Sequence, residues 1–194
     1  TGSQGDVMKE SMSCAFTVAC NLLNKEYRKK FEEENEKFGV HIHCPDGATP
    51  KDGPSAGLAI TACLISLITK IPIRNDIAMT GEIDLDGKAG QIGGLYSKIQ
   101  GALSAGVKTV LIPRDNEKDL DVIFIKEEQE KNSIKESLCI RKVDSFLLLD
   151  KKSYKTMTDR RIFRNELEII LIDNIYDILK YALVDNDFEF NQDL

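Results

Sequence analysis

Two residues of this chain, Ser55 and Lys98, combine a reactive group with an unusual position. Ser55 follows a Gly-Pro step and begins an apolar stretch that runs to Ile68. The free N–H groups and positive dipole end of a helix starting there could stabilise an alkoxide and a tetrahedral oxyanion, which favours a nucleophile for acyl transfer. Serine is also a common helix N-cap. Position alone leaves both interpretations of Ser55 open.

Lys98 is a candidate general base for such a nucleophile. It lies in the first turn of a predicted helix that opens with Gly93-Gly94, and its apolar neighbours are Ile92, Leu95 and Ile99. A helix N-terminus and apolar surroundings both disfavour a charged ammonium, and an amine must be neutral to accept a proton. The alternative is an ordinary solvated lysine on a helix surface.

The two histidines, His41 and His43, are the other candidate bases. They share one face of Phe38 to Pro45, whose alternating pattern predicts a half-buried strand. A Ser-His arrangement is possible by residue count, but a strand before the Ser55 loop fixes no clear geometry. A metal site at this H-x-H pair would need further ligands, and partly exposed structural histidines are the third alternative.

The elements that must position these residues are predicted from apolar periodicity, and together they indicate a mixed α/β domain. Helices are predicted for Asp6 to Leu23 with Asp6 as N-cap, for Ser55 to Ile68 buried on nearly every face, for Gly93 to Ala105 ended by Gly106, from Asn116 onward, and for Asn174 to Leu183 with Asn174 as cap. Strands are predicted for Phe38 to Pro45, Ile77 to Leu85, Lys88 to Ile92 after a turn at Asp86-Gly87, Lys108 to Pro113 and Leu167 to Ile172.

Composition and charge narrow the class of protein. The chain has 194 residues, 42% of them hydrophobic, and a net charge of -6 with acidic and basic residues interleaved, which argues against a nucleic-acid surface. No stretch has the roughly 20 apolar residues of a membrane span. The five cysteines are odd in number and form no C-x-x-C pair, which favours a reducing compartment over a disulfide framework or zinc site. We expect one domain over 1–185, with a peripheral insertion at about 124–165 that has a possible strand at 145–149, and an acidic tail over 186–194.

Three strings resemble the Lon protease family closely. They are PKDGPSAG at 50–57, TGE at 80–82 and IGGLYSK at 92–98. The resemblance covers roughly Thr1 to Leu120 and resumes from Leu167 to Leu183. It implies the proteolytic domain of a Lon-type protease, a serine endopeptidase with a Ser-Lys dyad and no triad histidine. Ser55 matches the family's nucleophile and Lys98 its base.

The resemblance also implies supporting roles. Thr80 is expected to offer its hydroxyl to the catalytic lysine, and Asp52 matches a mobile gate beside the site. His41 and His43 match a pair with a supportive role, whereas Gly53 and Gly93 would let the backbone approach the substrate closely.

The family further implies partners that this chain does not contain. An AAA+ ATPase module using ATP and magnesium and a substrate-gripping N-domain would share the polypeptide, assembled as a homo-hexamer that acts on unfolded or damaged proteins. No cofactor is expected in this chain, which lacks a phosphate-loop string. The location would be mitochondrial in a eukaryote or cytoplasmic in a bacterium, and the insertion favours the mitochondrial matrix. The family's domain normally begins further upstream, so its N-terminal strands are expected to be missing.

Two rival functions remain open. A non-catalytic Lon-like scaffold domain would be expected to have lost the serine or the lysine, and both are present here. A Ser-His-Asp hydrolase using His43 is not supported by the spacing.

Overall fold

The computed structural model describes residues 1–35, 39–120, 161–164 and 167–184, which form a mixed α/β domain around a mostly parallel sheet. The helices are α1 (Asp6–Leu22), α2 (Lys25–Asn35), α3 (Gly57–Thr69), α4 (Leu95–Ser104) and α5 (Ile175–Ala182). The strands are β1 (Ile77–Met79), β2 (Glu82–Ile83), β3 (Ala89–Gly90), β4 (Thr109–Pro113), β5 (Arg161–Arg164) and β6 (Leu167–Ile172).

The sheet has the strand order β1-β4-β6-β5, in which β1, β4 and β6 are parallel and β5 is antiparallel to β6. A separate two-stranded sheet is formed by β2 and β3. Every residue of β4 is buried, as expected of a parallel strand covered on both faces.

Two apolar clusters lie on opposite faces of the sheet. Leu111 and Ile170 pack with α1, α3 and α5, whereas Val110 and Ile169 pack with α4. Alternate residues of a strand point to opposite faces, so the same two strands serve both clusters. Ser55 is therefore attached to one layer of the fold, and Lys98 to the other.

The predicted strand Ile77 to Leu85 is wrong in its middle. The chain leaves the large sheet after Met79, and β2 belongs to the small sheet. At the break, Gly81 passes so close to Leu58 that a Cβ at Gly81 would overlap the leucine side chain. The break places Thr80 and Gly81 at the carboxyl end of β1, which is where ligands bind in open parallel sheets.

The predicted strand over Phe38 to Pro45 is not formed by its described residues. The alternation is present, with His41 and His43 exposed and Val40 and Ile42 half-buried. A strand needs a neighbouring backbone along its length. Among its described residues, 39–45, backbone hydrogen bonds are made only near the end, where Cys44 N–H donates to Thr1 O over 3.0 Å and the Thr1 amino group donates to Ile42 O over 2.7 Å.

Two helix predictions need correction. The N-cap of α1 is Gly5, not Asp6, and the acceptor for an early helix N–H comes from Asp52 instead. Helix α3 is not buried on nearly every face, because Cys63 and Leu67 are exposed, the latter by 53%. High hydrophobicity alone thus overstated how many sides of α3 are covered.

Most of the other predicted elements agree with the structure in type, although the returning strand after Asp86-Gly87 is formed only over Ala89–Gly90 and helix α2 was not predicted. Gly106 has the predicted left-handed conformation after α4, and the Asn174 side chain accepts a hydrogen bond from Asp177 N–H at the start of α5. The helix expected from Asn116 is preceded by a 3₁₀ turn over Arg114–Asn116. The insertion contributes strand β5 at its end, which its composition did not indicate. The possible strand at 145–149 and the tail at 186–194 lie outside the described residues.

Candidate active site

Ser55 lies in the turn just before α3. The N-cap of α3 is Ala56, so the alternative of Ser55 as helix cap is wrong. The Ser55 carbonyl oxygen accepts hydrogen bonds from the Thr80 hydroxyl over 3.0 Å and from Gly81 N–H over 2.9 Å. Both donors follow β1 directly. The end of a sheet strand therefore fixes the backbone of the candidate nucleophile.

Lys98 reaches Ser55 from the opposite layer. Its backbone N–H donates to Gly94 O over 3.2 Å in the first turn of α4, and its Nζ lies 3.2 Å from Ser55 Oγ in hydrogen-bond geometry. Gly94 has a φ of +68°, a left-handed conformation that glycine adopts without strain. The two residues are 43 positions apart in the chain, and the fold brings them within the distance expected of a nucleophile and its base.

The surroundings of Lys98 differ from those expected. Ile92, Leu95 and Ile99 are buried in the cluster beneath α4, whereas Lys98 is exposed. Neighbours in sequence therefore do not enclose the amine in this chain. The apolar residues anchor the helix turn that carries Lys98 and do not surround its amine.

Thr80 also differs from the expectation carried by the resemblance. Its hydroxyl donates to the Ser55 carbonyl and not to Lys98. The reason is its depth: Thr80 is only 7% exposed, beneath the Ser55 turn, whereas Lys98 is on the surface. In this arrangement Thr80 holds the backbone of the candidate nucleophile.

Asp52 contacts helix α1 in this structure. Its Oδ1 accepts from Met8 N–H over 2.9 Å and from Gly53 N–H over 2.8 Å. These two hydrogen bonds, with the Met8 bond first, hold the pKa of the Asp52 carboxyl below its usual range. Asp52 thus supplies a missing acceptor at the start of α1 and links that helix to the Ser55 loop.

His41 and His43 both lie within hydrogen-bond distance of the Thr1 hydroxyl oxygen. His41 Nε2 lies 2.8 Å and His43 Nδ1 2.9 Å from the Thr1 hydroxyl oxygen, and both rings are exposed. The hydrogen bonds that their ring nitrogens make within the described residues therefore go to Thr1 and not to Ser55.

Gly53 and Gly93, expected at close approaches to a substrate, face open space. A Cβ built at either position meets no atom within 4 Å. Gly53 has a φ of +106°, which a residue with a side chain would adopt only under strain. Gly81 is the glycine that the sequence analysis missed. A glycine inside a strand pattern often marks a close approach of another group to the backbone, and the position of Gly81 within the predicted strand 77–85 is such a signal.

An open cleft of about 340 Å³ lies beside this site and does not contain it. Its polar walls include Glu82, Asp84 and Lys88 of the β2–β3 hairpin. They also include Arg114, whose Nε donates to Asp173 Oδ1 over 2.6 Å, a hydrogen bond that raises the pKa of Arg114. Ser55 and Lys98 do not line this cleft, so it is separate from the candidate catalytic pair.

Comparison with known proteins decides the family. A family model of the Lon protease (S16) C-terminal proteolytic domain matches residues 1–149. The chain belongs to this family. Its fold is accordingly the α/β fold of a Lon proteolytic domain, and the part of the family that it matches is the proteolytic domain.

Relatives named Lon protease agree with this assignment. That of Haemophilus influenzae is 50% identical over 145 residues, which is 75% of this chain and 17% of that protein. That of Buchnera aphidicola is 52% identical over 124 residues, 63% of this chain and 16% of that protein. That of Orientia tsutsugamushi is 49% identical over 140 residues, 72% of this chain and 17% of that protein.

These relatives bear on two earlier expectations. All are called proteases, and nothing in the comparison supports the scaffold alternative. They come from bacteria, so the mitochondrial location is not supported, and the cytoplasmic alternative is compatible with them.

Among the described residues, every helix is too short or too polar to cross a bilayer. The chain spans about a sixth of the length of these relatives.

Proposed function

We propose that this Lon-type proteolytic domain hydrolyses peptide bonds with Ser55 as the nucleophile and Lys98 as the general base. The observation that carries the proposal is the 3.2 Å approach of Lys98 Nζ to Ser55 Oγ. Ser55 lies just before α3 and Lys98 lies on α4, and these helices pack on opposite faces of the sheet. Apolar packing alone gives no reason for the hydroxyl of Ser55 and the amine of Lys98 to meet. A serine and a lysine at this distance can exchange the proton that acyl transfer requires.

The reaction would proceed in two stages, acylation of Ser55 and then hydrolysis of the acyl-enzyme ester. Ser55 Oγ attacks the carbonyl carbon of the scissile bond, and its proton passes to the neutral amine of Lys98 to give a tetrahedral oxyanion. The oxyanion collapses, the C–N bond breaks, and the leaving amine takes the proton from Lys98. A water then attacks the Ser55 ester, gives its proton to Lys98, and releases the carboxyl product as Ser55 Oγ regains a proton.

The backbone at the start of α3 supports the oxyanion. Two early N–H groups are already used, because Gly57 N–H donates to Pro54 O and Leu58 N–H donates to Gly81 O. The N–H groups of Ser55 and Ala56 have no acceptor among the described residues. They lie at the positive end of a helix of 13 residues, where negative charge is stabilised.

We further propose that the chain works as one part of an ATP-dependent, AAA+-containing protein that assembles as a hexamer and degrades unfolded or damaged proteins. The support is the family membership together with the short share of each relative that the chain spans. ATP and magnesium would then be bound by the AAA+ module, and this chain would need no cofactor of its own. Unfolded polypeptide suits an exposed site, since an extended chain can reach Ser55 without a deep pocket.

Alanine substitutions test the dyad. Ser55→Ala and Lys98→Ala should each lower the rate of peptide hydrolysis by at least about 10³-fold, because nucleophile and base act as one unit. The assay is cleavage of a fluorogenic peptide by the complete protein. The matched control is Lys88→Ala, an exposed lysine on the hairpin, which should stay near the wild-type rate. A Ser55→Ala or Lys98→Ala variant with wild-type turnover would refute the dyad, and an inactive wild type would favour the scaffold.

A further inference from the structure

Ser11 is a polar residue buried inside an apolar helix layer. It lies in the second turn of α1, where its exposed fraction is 8%, and most of its buried neighbours on that helix are aliphatic. A buried hydroxyl costs free energy unless it finds a hydrogen-bond partner. The hydrogen-bond acceptor of Ser11 is the carbonyl of Pro54, the residue before Ser55.

The other hydroxyl residues of α1 behave differently. Ser13 Oγ donates to Lys9 O over 3.1 Å, and Thr17 Oγ1 donates to Ser13 O over 3.0 Å, which is the usual bond to the carbonyl four residues earlier. Ser11 Oγ instead donates across to Pro54 O, over 3.2 Å. Pro54 directly precedes Ser55.

This bond fixes the peptide that links Pro54 to Ser55. The Pro54 carbonyl accepts from Ser11 Oγ and also from Gly57 N–H, over 3.0 Å. A peptide unit is planar, and its C=O and N–H point in opposite directions. Two donors on the Pro54 oxygen therefore fix the peptide plane so that the Ser55 N–H points away from α1.

The next peptide is held as well. The Ser55 carbonyl accepts from the Thr80 hydroxyl and from Gly81 N–H. Both peptide planes that flank the Ser55 Cα are thus anchored, one by α1 and one by the end of β1. With both planes fixed, the φ and ψ angles of Ser55 have little freedom.

Close packing keeps Ser11 in place. A Cβ built at Gly57 would lie 2.9 Å from Ser11 Oγ and 2.9 Å from Ile83 Cγ2. The hydroxyl therefore occupies a space bounded by the first residue of α3 and the small sheet.

We propose that Ser11 is a positioning residue, which directs the Ser55 N–H and so the oxyanion-binding geometry of the nucleophile turn. The inference deepens the proposed function and rests on it for its catalytic meaning. Ser11 touches neither substrate nor Lys98, and it acts through the Pro54–Ser55 peptide. Its loss should therefore lower kcat and leave KM nearly unchanged.

The test compares Ser11→Ala with Ser13→Ala, the matched loss of a hydroxyl on the same helix. In the ¹⁵N-labelled chain, the Ser55 amide signal should shift in Ser11→Ala and stay in place in Ser13→Ala. In the complete protein, reaction of Ser55 with a fluorophosphonate, in which Oγ displaces fluoride from phosphorus, should slow by about 10-fold in Ser11→Ala. Ser13→Ala should react at the wild-type rate, and kcat for a peptide should follow the same order at constant KM.

The two readouts separate the two proposals. An unmoved Ser55 amide in Ser11→Ala overturns the role of Ser11, as does an unchanged rate of fluorophosphonate reaction. A wild-type protein that does not react at Ser55 overturns the proposed function instead, and the amide signal still decides whether Ser11 directs the turn. If Ser11→Ala does not fold, Ser11→Cys keeps a side chain of similar shape with a weaker donor and takes its place in both measurements.

Discussion

The two halves of the candidate dyad are held in opposite ways. On the Ser55 side, the turn is fixed by hydrogen bonds from three separate segments: Ser11 on α1, Thr80 and Gly81 after β1, and Gly57 in α3. On the Lys98 side, the amine is at the end of a long exposed side chain. The one polar partner that the described residues offer it is Ser55 Oγ.

This difference indicates where the site is rigid and where it can change. The backbone of the candidate nucleophile is held in the absence of substrate, so little reorganisation would be needed there during the proposed reaction. The lysine must give up the rotamer freedom of its side chain to reach Ser55, a cost of up to about 2 kcal/mol. Substitutions in the Ser55 support should therefore affect fold and activity together, whereas substitution of the exposed Lys98 should affect activity alone.

A pair of glycines gives the sharpest contrast in stability. Gly81→Ala should lower the free energy of unfolding by about 1–3 kcal/mol, because its new methyl group would overlap the fully buried Leu58. Gly93→Ala, beside the Lys98 helix turn, has open space and should change it by less than about 0.5 kcal/mol. Urea unfolding of both variants measures the difference. Equal changes in the free energy of unfolding would show that the Ser55 side and the Lys98 side of the site do not differ in how tightly they are packed.

Asp52 tests the link between α1 and the Ser55 loop through pH. Its pKa is lowered in the folded state by hydrogen bonds from Met8 and Gly53, so its ionised form stabilises the fold. This contribution is fully present above the ordinary value of 3.8 and is lost as the pH falls through the lower folded-state pKa. Asp52→Asn should therefore lower Tm slightly at pH 7, with a difference from wild type that shrinks below pH 3.8.

The control for this pH dependence is Asp86→Asn, an equal loss of charge on the exposed hairpin. It should leave Tm nearly unchanged at pH 7. A Tm difference for Asp52→Asn that grew on acidification would have the wrong sign for a carboxylate acceptor and would refute the link.

The smallest expected effect is on activity, at His43. Its ring contacts Thr1 and not Ser55, so His43→Ala should reduce peptide hydrolysis by less than about 10²-fold, below the range typical of a lost general base. Rates of His43→Ala, Lys98→Ala and Ser55→Ala are compared in one assay. A His43→Ala variant as inactive as Ser55→Ala, alongside an active Lys98→Ala, would replace the dyad with a Ser-His site.

The sequence predicted the elements that have strong local signals. Gly106 after α4, Asn174 before α5 and the turn at Asp86-Gly87 all have conformations that their residue types favour. The apolar run in β4 was equally clear because a strand buried on both faces has no polar positions. Ser55 and Lys98 were singled out by position and by the motifs around them.

What the sequence could not predict depends on contacts between distant segments. The bond from Ser11 to Pro54 spans 43 positions and leaves no local pattern, since Ser13 on the same helix bonds within it. The alternation from Val40 to His43 does separate two faces, with His41 and His43 exposed, yet a strand also needs a partner backbone. The exposure of Lys98 likewise follows from the direction in which α4 packs and not from its apolar neighbours in sequence.

The most direct test of the account is the substitution Lys98→Arg. Arginine keeps the positive charge and nearly the length of lysine, but it stays protonated and cannot accept the proton of Ser55 Oγ. The measurement is the rate at which a fluorophosphonate labels Ser55, located by mass spectrometry, in folded and assembled protein. We expect labelling of Ser55 in the wild type and almost none in Lys98→Arg, at an unchanged Tm. Equal labelling of Ser55 in both proteins would show that Lys98 is not the base.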